Sequence, residues 1–208
     1  MSVRTPPKTR PCERCGDALA PDARSHAKYC GSACRKAASR AAKKAAPEPA
    51  GTYVPKALRE LPRWVRRSAR KAPLTAAGKA ASSTDPSTWT TYAEAAHSGA
   101  GSGLGFVLSG DGIVCVDLDH CLVDGQPDER TAAFLSTLPP TYIEISPGGD
   151  GLHIWGRGMV LTSRKIRREG IAGEVIGSRK YATVTGAAFR DAPPILANIA
   201  KQASSLVY

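Results

Sequence analysis

The chain has 208 residues, 42% of them hydrophobic, with 29 Lys and Arg against 18 Asp and Glu and a formal net charge of +11. That length suits one substantial domain plus a small module, and the hydrophobic fraction is sufficient for a core. No apolar run approaches the roughly 18 residues that a membrane helix needs, and no signal-peptide pattern opens the chain, so we expect a cytoplasmic protein without a membrane partner.

The positive charge is concentrated at the front of the chain. Residues 1–73 carry 18 Lys and Arg against 5 Asp and Glu, whereas residues 74–208 carry 11 against 13. A strongly basic front half suits a polyanion, and nucleic acid is the expected one because no membrane segment is present. A basic surface that serves only solubility is the alternative.

Residues 1–11 are polar and rich in proline, which predicts a disordered arm. Four cysteines follow in the pattern C-x2-C, fourteen residues, C-x3-C, namely Cys12, Cys15, Cys30 and Cys34. This spacing predicts one structural Zn²⁺ held by four thiolates, with no coordination position left open for catalysis. Disulfides are the alternative, which the absence of an export signal disfavours.

The run that follows the last cysteine is alanine-rich, with basic residues recurring at helical spacing up to residue 46. It predicts a helix that continues out of the cysteine module. Its candidate phosphate contacts, which would bind nucleic acid without base specificity, are Arg35, Lys36, Arg40, Lys43 and Lys44. A solvated linker helix is the alternative. Residues 12–40 resemble the small treble-clef-like zinc fingers found in nucleic-acid proteins.

Residues 47–52 are rich in Pro and Gly and predict a linker, so the main domain is expected to span residues 53–208. An apolar patch around Trp64 is surrounded by basic residues, of which Arg66 and Arg67 are candidate nucleic-acid contacts. A start signal at Asp85 and a stop signal at Gly99 predict a helix between them.

From residue 103 onward, short apolar runs separated by turn residues predict strands. Residues 104–108 and 113–119 are expected to form one hairpin, and residues 173–176 and 181–185 a second one around 177–180. Further strands are expected at 141–146 and 152–156, and helices at 129–138 and 194–204. Few helices among many antiparallel strands predict an α+β domain.

Two acidic residues alternate with apolar ones in the strand at 113–119. Period-two alternation places Asp117 and Asp119 on one face, while Val116 and Leu118 face the other way. Two carboxylates this close repel each other unless a cation lies between them or water surrounds them. The pair therefore indicates either a metal site or a solvated strand edge.

The segment from Ser146 to His153 contains three glycines in four residues, Gly148, Gly149 and Gly151. Such a loop exposes backbone N–H groups and lets an anion approach closely, which suits a triphosphate. An ordinary glycine-rich hairpin with a hydrogen-bonded histidine is the alternative. A Walker-type P-loop is excluded, because no Gly-Lys-Ser/Thr follows and a strand comes next.

Taken in order, Asp-x-Asp, Ser-Pro-Gly-Gly-x-Gly-x-His, Gly-Glu-Val-Ile and Arg-Lys-Tyr-Ala-Thr-Val-Thr-Gly resemble the archaeo-eukaryotic primase superfamily, specifically its prim-pol branch in phages and plasmids. The likeness runs from about residue 64 to 186. It implies an RRM-like antiparallel-sheet core, catalytic metal-binding roles for Asp117, Asp119 and Glu174, and nucleotide binding by Ser146, His153 and the loop amides. Arg179 and Lys180 are candidates for binding the triphosphate or the template backbone. For Glu174, Arg179 and Lys180 the alternative is an ordinary surface position without a role in the site.

The resemblance implies a template-dependent DNA primase/polymerase that makes and extends primers from NTPs or dNTPs, with two catalytic Mg²⁺ or Mn²⁺ ions, on single-stranded DNA. A phage-encoded protein would work in the host cytoplasm. No P-loop is present, so a separate helicase would unwind the template. A catalytically silent replication-origin or single-stranded DNA-binding protein with the same fold is the alternative, and a metal-dependent nuclease is a second one.

Overall fold

The computed structural model describes residues 10–24, 27–45, 53–160 and 162–207, with the backbone only for 39–45. The chain divides into two compact units, Met1–Pro47 and Glu48–Tyr208. Of the disordered arm expected at 1–11, residues 1–9 lie outside the described residues, as does the linker expected at 47–52.

The first unit contains very little apolar core. Cys12 and Leu19 are its buried hydrophobic residues in the part that the structure describes. A short antiparallel bridge joins Pro11 to Ala18 around the first cysteine pair, and helix α1 (Ser32–Ala45) begins within the second pair. Of the four cysteines, Cys12 is buried, Cys34 is partly buried, and Cys15 and Cys30 are exposed.

The second unit is an antiparallel α+β domain. Its helices are α2 (Lys56–Arg59), α3 (Tyr92–His97), α4 (Glu129–Leu135) and α5 (Ala200–Ser204). Its strands are β1 (Trp64–Arg67), β2 (Pro73–Leu74), β3 (Gly103–Ser109), β4 (Ile113–Leu118), β5 (Leu122–Val123), β6 (Gln126–Pro127), β7 (Ile143–Ile145), β8 (Leu152–Arg157), β9 (Arg164–Lys165), β10 (Gly173–Ile176) and β11 (Ser178–Val184). The α+β class is confirmed.

The strands form two main sheets and a small hairpin. One sheet has the order β11-β3-β1-β2 and the other the order β7-β8-β4-β10-β9, while β5 pairs with β6 alone. All these pairings are antiparallel. Strand β4 lies at the centre of the five-stranded sheet, so its side chains are surrounded by those of β8 and β10.

The five-stranded sheet has a hydrophobic cluster on each face. Val114, Val116 and Leu118 of β4 face a cluster that includes residues of α4 and α5. Ile113 and Cys115 face the other cluster, which includes Trp64 and Phe106 of the four-stranded sheet. Because both faces of β4 are covered, the strand is apolar nearly throughout, as fully buried strands are. The second cluster holds the two sheets together.

The two hairpins expected from the sequence are wrong. Strand β3 pairs with β1 and β11, and β4 pairs with β8 and β10, so the turn at 109–112 carries the chain from one sheet to the other. The connection from β10 to β11 crosses between the sheets in the same way. Strands that are buried on both faces need partners on both sides, and here those partners come from distant parts of the chain.

The helices are shorter than expected. The helix predicted between Asp85 and Gly99 is a 3₁₀ turn (Pro86–Thr88) followed by α3, which begins at a capping box formed by Thr91 and Glu94. Helix α4 ends at Leu135, and the closing helix begins only at Ala200. None of the described helices combines the length and apolar character that crossing a bilayer requires.

Candidate functional site

A row of polar residues crosses the five-stranded sheet. Glu144 of β7 pairs with His153 of β8, His153 with Asp117 of β4, Asp117 with Glu174 of β10, and Glu174 with Lys165 of β9. Directly paired residues project from the same face of a sheet, so these five side chains form one line across the strands. The line lies where the apolar cluster between the two sheets ends.

Asp117 occupies the centre of this row. Its Oδ1 lies 3.5 Å from His153 Nε2, and its side chain is 33% exposed. Burial raises the pKa of Asp117, and the charges of Asp119 and Glu174 raise it further, while His153 and Lys71 act in the opposite direction. A carboxylate that is costly to ionise beside other acids is stabilised by a cation, so this position suits a metal ion.

Asp119 and Glu174 are the two acidic neighbours of Asp117. Asp119 lies two residues farther along the chain, and Glu174 lies opposite Asp117 on the adjacent strand β10. Asp119 follows the end of β4, is exposed, and donates its backbone N–H to Ala172 O at 2.9 Å. Glu174 is 14% exposed in its side chain, and its Oε1 contacts Lys180 Nζ. In the part of the chain that the structure describes, only the four cysteines bring ligand atoms as close together as one ion requires. The three carboxylates are neighbours, and their hard oxygen atoms suit Mg²⁺ or Mn²⁺.

His153 lies between two carboxylates and is almost fully buried. Its Nδ1 is 3.2 Å from Glu144 Oε1, and its Nε2 faces Asp117. Burial alone would lower the pKa of His153, but the hydrogen bond and charge of Glu144, followed by the charge of Asp117, outweigh burial and raise the pKa. The ring is therefore fixed in orientation and favoured in its cationic form beside the acids.

Glu144 is a functional candidate that the sequence analysis did not identify. Its residue is 0% exposed, and its two carboxylate oxygens accept hydrogen bonds from several directions. The donors are Tyr142 Oη (2.9 Å), His153 Nδ1 (3.2 Å), Trp155 Nε1 (3.2 Å), Thr185 N (2.9 Å), Thr185 Oγ1 (3.1 Å) and Gly186 N (2.8 Å). In the sequence, the signal that could have identified Glu144 was an isolated acidic residue in an apolar strand next to a glycine-rich loop. A buried carboxylate is tolerated only with such compensation.

The glycine-rich segment connects β7 to β8 as a hairpin. Ser146 N donates to Gly151 O and Gly149 N donates to Ser146 O, both at 2.9 Å. The Gly149 amide is therefore used inside the loop, which argues against its predicted role as an anion donor. A Cβ at Gly151 would lie 2.5 Å from Leu118 O, so glycine is required where the loop passes the end of β4.

Asp150 ties this loop to the segment that follows the aspartates. Its Oδ2 lies 2.6 Å from His120 Nδ1, and its carbonyl accepts from Leu122 N at 2.9 Å. His120 has a φ of 50°, in the left-handed region that only a few non-glycine residues adopt. The loop and Asp119 are consequently held side by side, as a site that binds both a metal and a phosphate chain requires.

Arg179 and Lys180 occupy different positions although they are adjacent. The pairing of β11 with β3 shifts register between Ser178 and Lys180, so Arg179 is the extra residue of a β-bulge, with a φ of 57°. Arg179 is exposed, whereas Lys180 contacts Glu174 across the gap between the sheets. Bulges commonly re-aim side chains beside functional sites, and this one directs Lys180 to the acids.

Lys71 is a second residue that the site analysis of the sequence omitted. Burial raises the pKa of Asp117, and the positive charge of Lys71 acts to lower it. The Lys71 carbonyl accepts a hydrogen bond from the Tyr181 hydroxyl. It lies in the connection between β1 and β2 with a φ of 60°. Its place within the span of the family resemblance, residues 64 to 186, was the available signal.

The residues predicted to contact nucleic acid differ in exposure. Arg66 is 5% exposed, and its guanidinium donates to Ala100 O at 2.6 Å and to Ala95 O at 3.2 Å, so it is a structural residue and its predicted role is not retained. Arg67 is partly exposed and donates to the Ser102 hydroxyl at 3.3 Å. Arg35 and Lys36 are exposed on α1. The side chains of Arg40, Lys43 and Lys44 lie outside the described residues.

The four cysteines of the first unit form a compact group. All four Sγ atoms lie within 4.8 Å of one another, and the distances among Cys15, Cys30 and Cys34 are 3.5, 3.5 and 3.6 Å. Tetrahedral zinc with bonds of about 2.3 Å places its sulfurs about 3.8 Å apart, whereas a disulfide needs about 2.05 Å. The thiols are free, so the geometry fits zinc and argues against the disulfide alternative.

Backbone amides add to this fit. Burial would raise the pKa of Cys12, but hydrogen bonds from the N–H groups of Cys15, Cys30 and Arg14 outweigh it and lower the pKa to about 6. Thiolate is the form that binds zinc, and in the metal-free geometry only Cys12 of the four has a lowered pKa, whereas the pKa values of Cys15, Cys30 and Cys34 are raised.

Zinc content provides a direct test. Metal analysis of the purified protein is expected to find about one zinc per chain, because four thiolates complete a tetrahedral site. Replacing all four finger cysteines with alanine should remove the zinc and the helical signal of the first unit. Cys121→Ala, which removes a thiol of the second unit, is the matched control and should retain the metal. A Cys12–Cys15 disulfide in the zinc-free protein would contradict the assignment.

Comparison with known proteins adds to the geometry. No family model matches the chain. A DNA primase-polymerase of Nitratiruptor phage NrS-1 is 41% identical over 121 residues, which cover 54% of this chain and 17% of that protein. The chain thus corresponds to a small part of this relative.

Proposed function

We propose that the second unit is the catalytic domain of a template-dependent DNA primase/polymerase, which makes and extends primers from nucleotide triphosphates. The observation that carries the proposal is the line of His153, Asp117 and Glu174 across three adjacent strands. The similarity to a phage DNA primase-polymerase supports it. An RRM-like description of the core and a treble-clef-like zinc module belong to the same proposal.

Asp117, Asp119 and Glu174 are the residues that would hold the two Mg²⁺ or Mn²⁺ ions. When bound, such ions lower the pKa of an attacking 3′-hydroxyl and neutralise the triphosphate and its leaving group. The chain contributes carboxylates fixed by β-pairing on rigid central strands. Since Asp117 and Glu174 are directly paired, their spacing depends on the sheet and not on a mobile loop.

The remaining residues of the site would bind and orient the triphosphate. His153 is fixed by Glu144 and presents Nε2 toward the acids. The Ser146 hydroxyl and the amides of Gly148 and Gly151 line the adjoining loop, while Lys180 and Lys71 contribute positive charge from the four-stranded sheet. Cationic groups and N–H donors that are already in place stabilise charge that develops during phosphoryl transfer.

The first unit would hold the single-stranded template. Its exposed Arg35 and Lys36, with Arg40, Lys43 and Lys44 farther along α1, form a helix of one charge sign. Contacts from such a helix to phosphate groups are independent of sequence and weaken with salt. A separate helicase would supply duplex unwinding.

A primer-synthesis assay tests the proposal. Labelled nucleotide is incubated with the full chain, single-stranded template and Mg²⁺ or Mn²⁺, with ribonucleotides and deoxynucleotides in separate reactions. Template-dependent incorporation is the expected result. Tight template binding without incorporation would indicate the catalytically silent protein, and shortening of the template would indicate a nuclease.

The bulge at Arg179 gives a prediction that separates two neighbouring cations. Lys180→Met is expected to lower incorporation at least about tenfold, because it removes a charge that faces Glu174 beside the reacting phosphates. Arg179→Met, which makes the same change one residue earlier, should have a much smaller effect. Equal losses in the two variants would contradict the role that the bulge gives to Lys180.

A further inference from the structure

The polar row has one closed end and one open end. At the closed end, Glu144 is 0% exposed and is covered by the backbone of Thr185 and Gly186. At the open end, Lys165 lies on β9, the edge strand of the sheet, and is exposed. A polymer whose end reaches the acids can therefore leave the site past β9 and not past β7.

The open end continues into a run of positive charge. Residues 164–168 read Arg-Lys-Ile-Arg-Arg, and all four cationic residues are exposed. Residues 74–208 contain 11 Lys and Arg, so four of the 11 lie within five consecutive positions of a region that is otherwise acidic. Glu169 follows directly in the sequence, and Glu174 of β10 is paired with Lys165. Within residues 74–208 the positive charge is thus concentrated next to the acids, while residues 56–71 of the same unit carry seven further Lys and Arg.

This basic segment is anchored to the body of the second unit. Ile166 packs against the hydrophobic cluster of the five-stranded sheet, and its N–H donates to Gly173 O at 3.0 Å. Arg167 N donates to Leu206 O at 2.9 Å. Extended residues rise about 3.3 Å each, so the segment is at most about 13 Å long, which is enough to contact more than one phosphate of a strand.

Protection of the sheet edge is the competing explanation. Charged residues on short edge strands prevent pairing with other chains. That explanation covers Arg164 and Lys165, which lie on β9 itself. It does not cover Arg167 and Arg168, which follow the paired part of the strand. Adjacent strand residues project to opposite faces, so Lys165 lies on the face of the acid row and Arg164 on the other face. Four exposed charges of one sign within five residues nevertheless complement a phosphate backbone, whereas edge protection requires neither that length nor the single sign.

We propose that residues 164–168 are a phosphate-binding track for the DNA strand that extends from the acid site. The inference rests on the proposed function, because it takes Asp117 and Glu174 as the place where the strand end reacts. It assigns to the second unit a DNA contact separate from the basic helix of the first unit. The contacts are electrostatic and independent of base sequence.

Binding measurements with the full chain test the track. The variant Arg164→Gln/Lys165→Gln/Arg167→Gln/Arg168→Gln should bind fluorescent oligothymidylate at least about tenfold more weakly at low salt. The slope of log affinity against log salt should fall by about 1 to 3. The control Lys56→Gln/Lys79→Gln/Arg190→Gln/Lys201→Gln removes the same charge from scattered exposed positions and should bind nearly as the natural protein does. Equal losses in the two variants, or no loss in the first, would overturn the track.

Hydrogen exchange of the unaltered protein gives a second test that does not depend on how the variants fold. Oligothymidylate should slow exchange of the amides of residues 164–168, and unchanged exchange would overturn the track. Primer synthesis is measured on the same preparation to separate the two proposals. DNA-dependent protection without incorporation would retain the track and reject the polymerase, whereas incorporation without protection would retain the polymerase and reject the track.

Discussion

Replacing Asp117 with asparagine is expected to reduce nucleotide incorporation by about a thousandfold, a loss of about 4 kcal/mol in transition-state stabilisation. Asn has nearly the same shape but lacks the negative charge that a divalent ion needs. Because burial and two neighbouring acids already raise the pKa of Asp117, removing its charge also relieves repulsion in the folded protein. The free energy of unfolding should therefore change by no more than about 1 kcal/mol.

Template binding and a matched substitution make this result specific. Asp117→Asn should bind template no more weakly than the natural protein does, because the substitution removes no cationic contact to phosphate. Asp191→Asn carries the same chemical change at an exposed position and should leave incorporation unchanged. If Asp117→Asn keeps more than about a tenth of the natural rate, the acid row is not the catalytic centre.

Replacing Glu144 with glutamine is expected to destabilise the second unit by about 2 to 4 kcal/mol. One oxygen accepts from the backbone N–H groups of Thr185 and Gly186, and the other accepts from the indole N–H of Trp155. None of these donors can become an acceptor. Whichever way the glutamine amide is turned, its NH₂ group therefore faces an N–H donor, and one buried hydrogen bond is replaced by a repulsive contact.

This substitution should also lower the activity of the molecules that remain folded. Without the carboxylate, His153 loses the partner that fixes its ring. We expect nucleotide incorporation per folded molecule to fall about 10- to 100-fold, as it does when other residues that hydrogen-bond to a ligating side chain are replaced. Urea unfolding measures the stability, and incorporation per folded molecule measures the second effect. Tyr142→Phe removes one donor to the same carboxylate and should cost about 1 kcal/mol with little change in activity per folded molecule.

An activity loss in Glu144→Gln that merely follows the folded fraction would show that Glu144 is a structural residue only. The same conclusion would follow if Tyr142→Phe lowered the activity per folded molecule as strongly. Together the two variants separate the contribution of the carboxylate to stability from its contribution to the orientation of His153.

The order of the motifs predicted much of the candidate site. Period-two alternation placed Asp117 correctly on a strand, and the structure pairs that strand with those of His153 and Glu174. Their alignment in one row is a consequence of register, which depends on the partner strand and is not visible in any single segment. The family resemblance supplied the association of these residues before any pairing was known.

Three features could not be read from the sequence for identifiable reasons. The central strands are apolar on both faces, so no alternation reveals which sheet each one joins. Arg66 and Glu144 are charged and would ordinarily be placed at the surface, yet each is buried because its partners come from distant segments. The contacts that compensate these charges exist only after the chain has folded.

The crossing of the chain between its two sheets has a consequence for how the protein folds. Phe106 of β3 pairs with Ala182 of β11, and β4 pairs with both β8 and β10, so neither sheet is complete until almost the whole domain has been synthesised. Contacts between such distant residues slow folding, since long loops must close before any pairing compensates the lost entropy. Strand β3 is thus incompletely paired on the ribosome until β11 emerges, and β4 until β10 emerges. We expect slow, all-or-none folding, with aggregation of chains truncated before Val184.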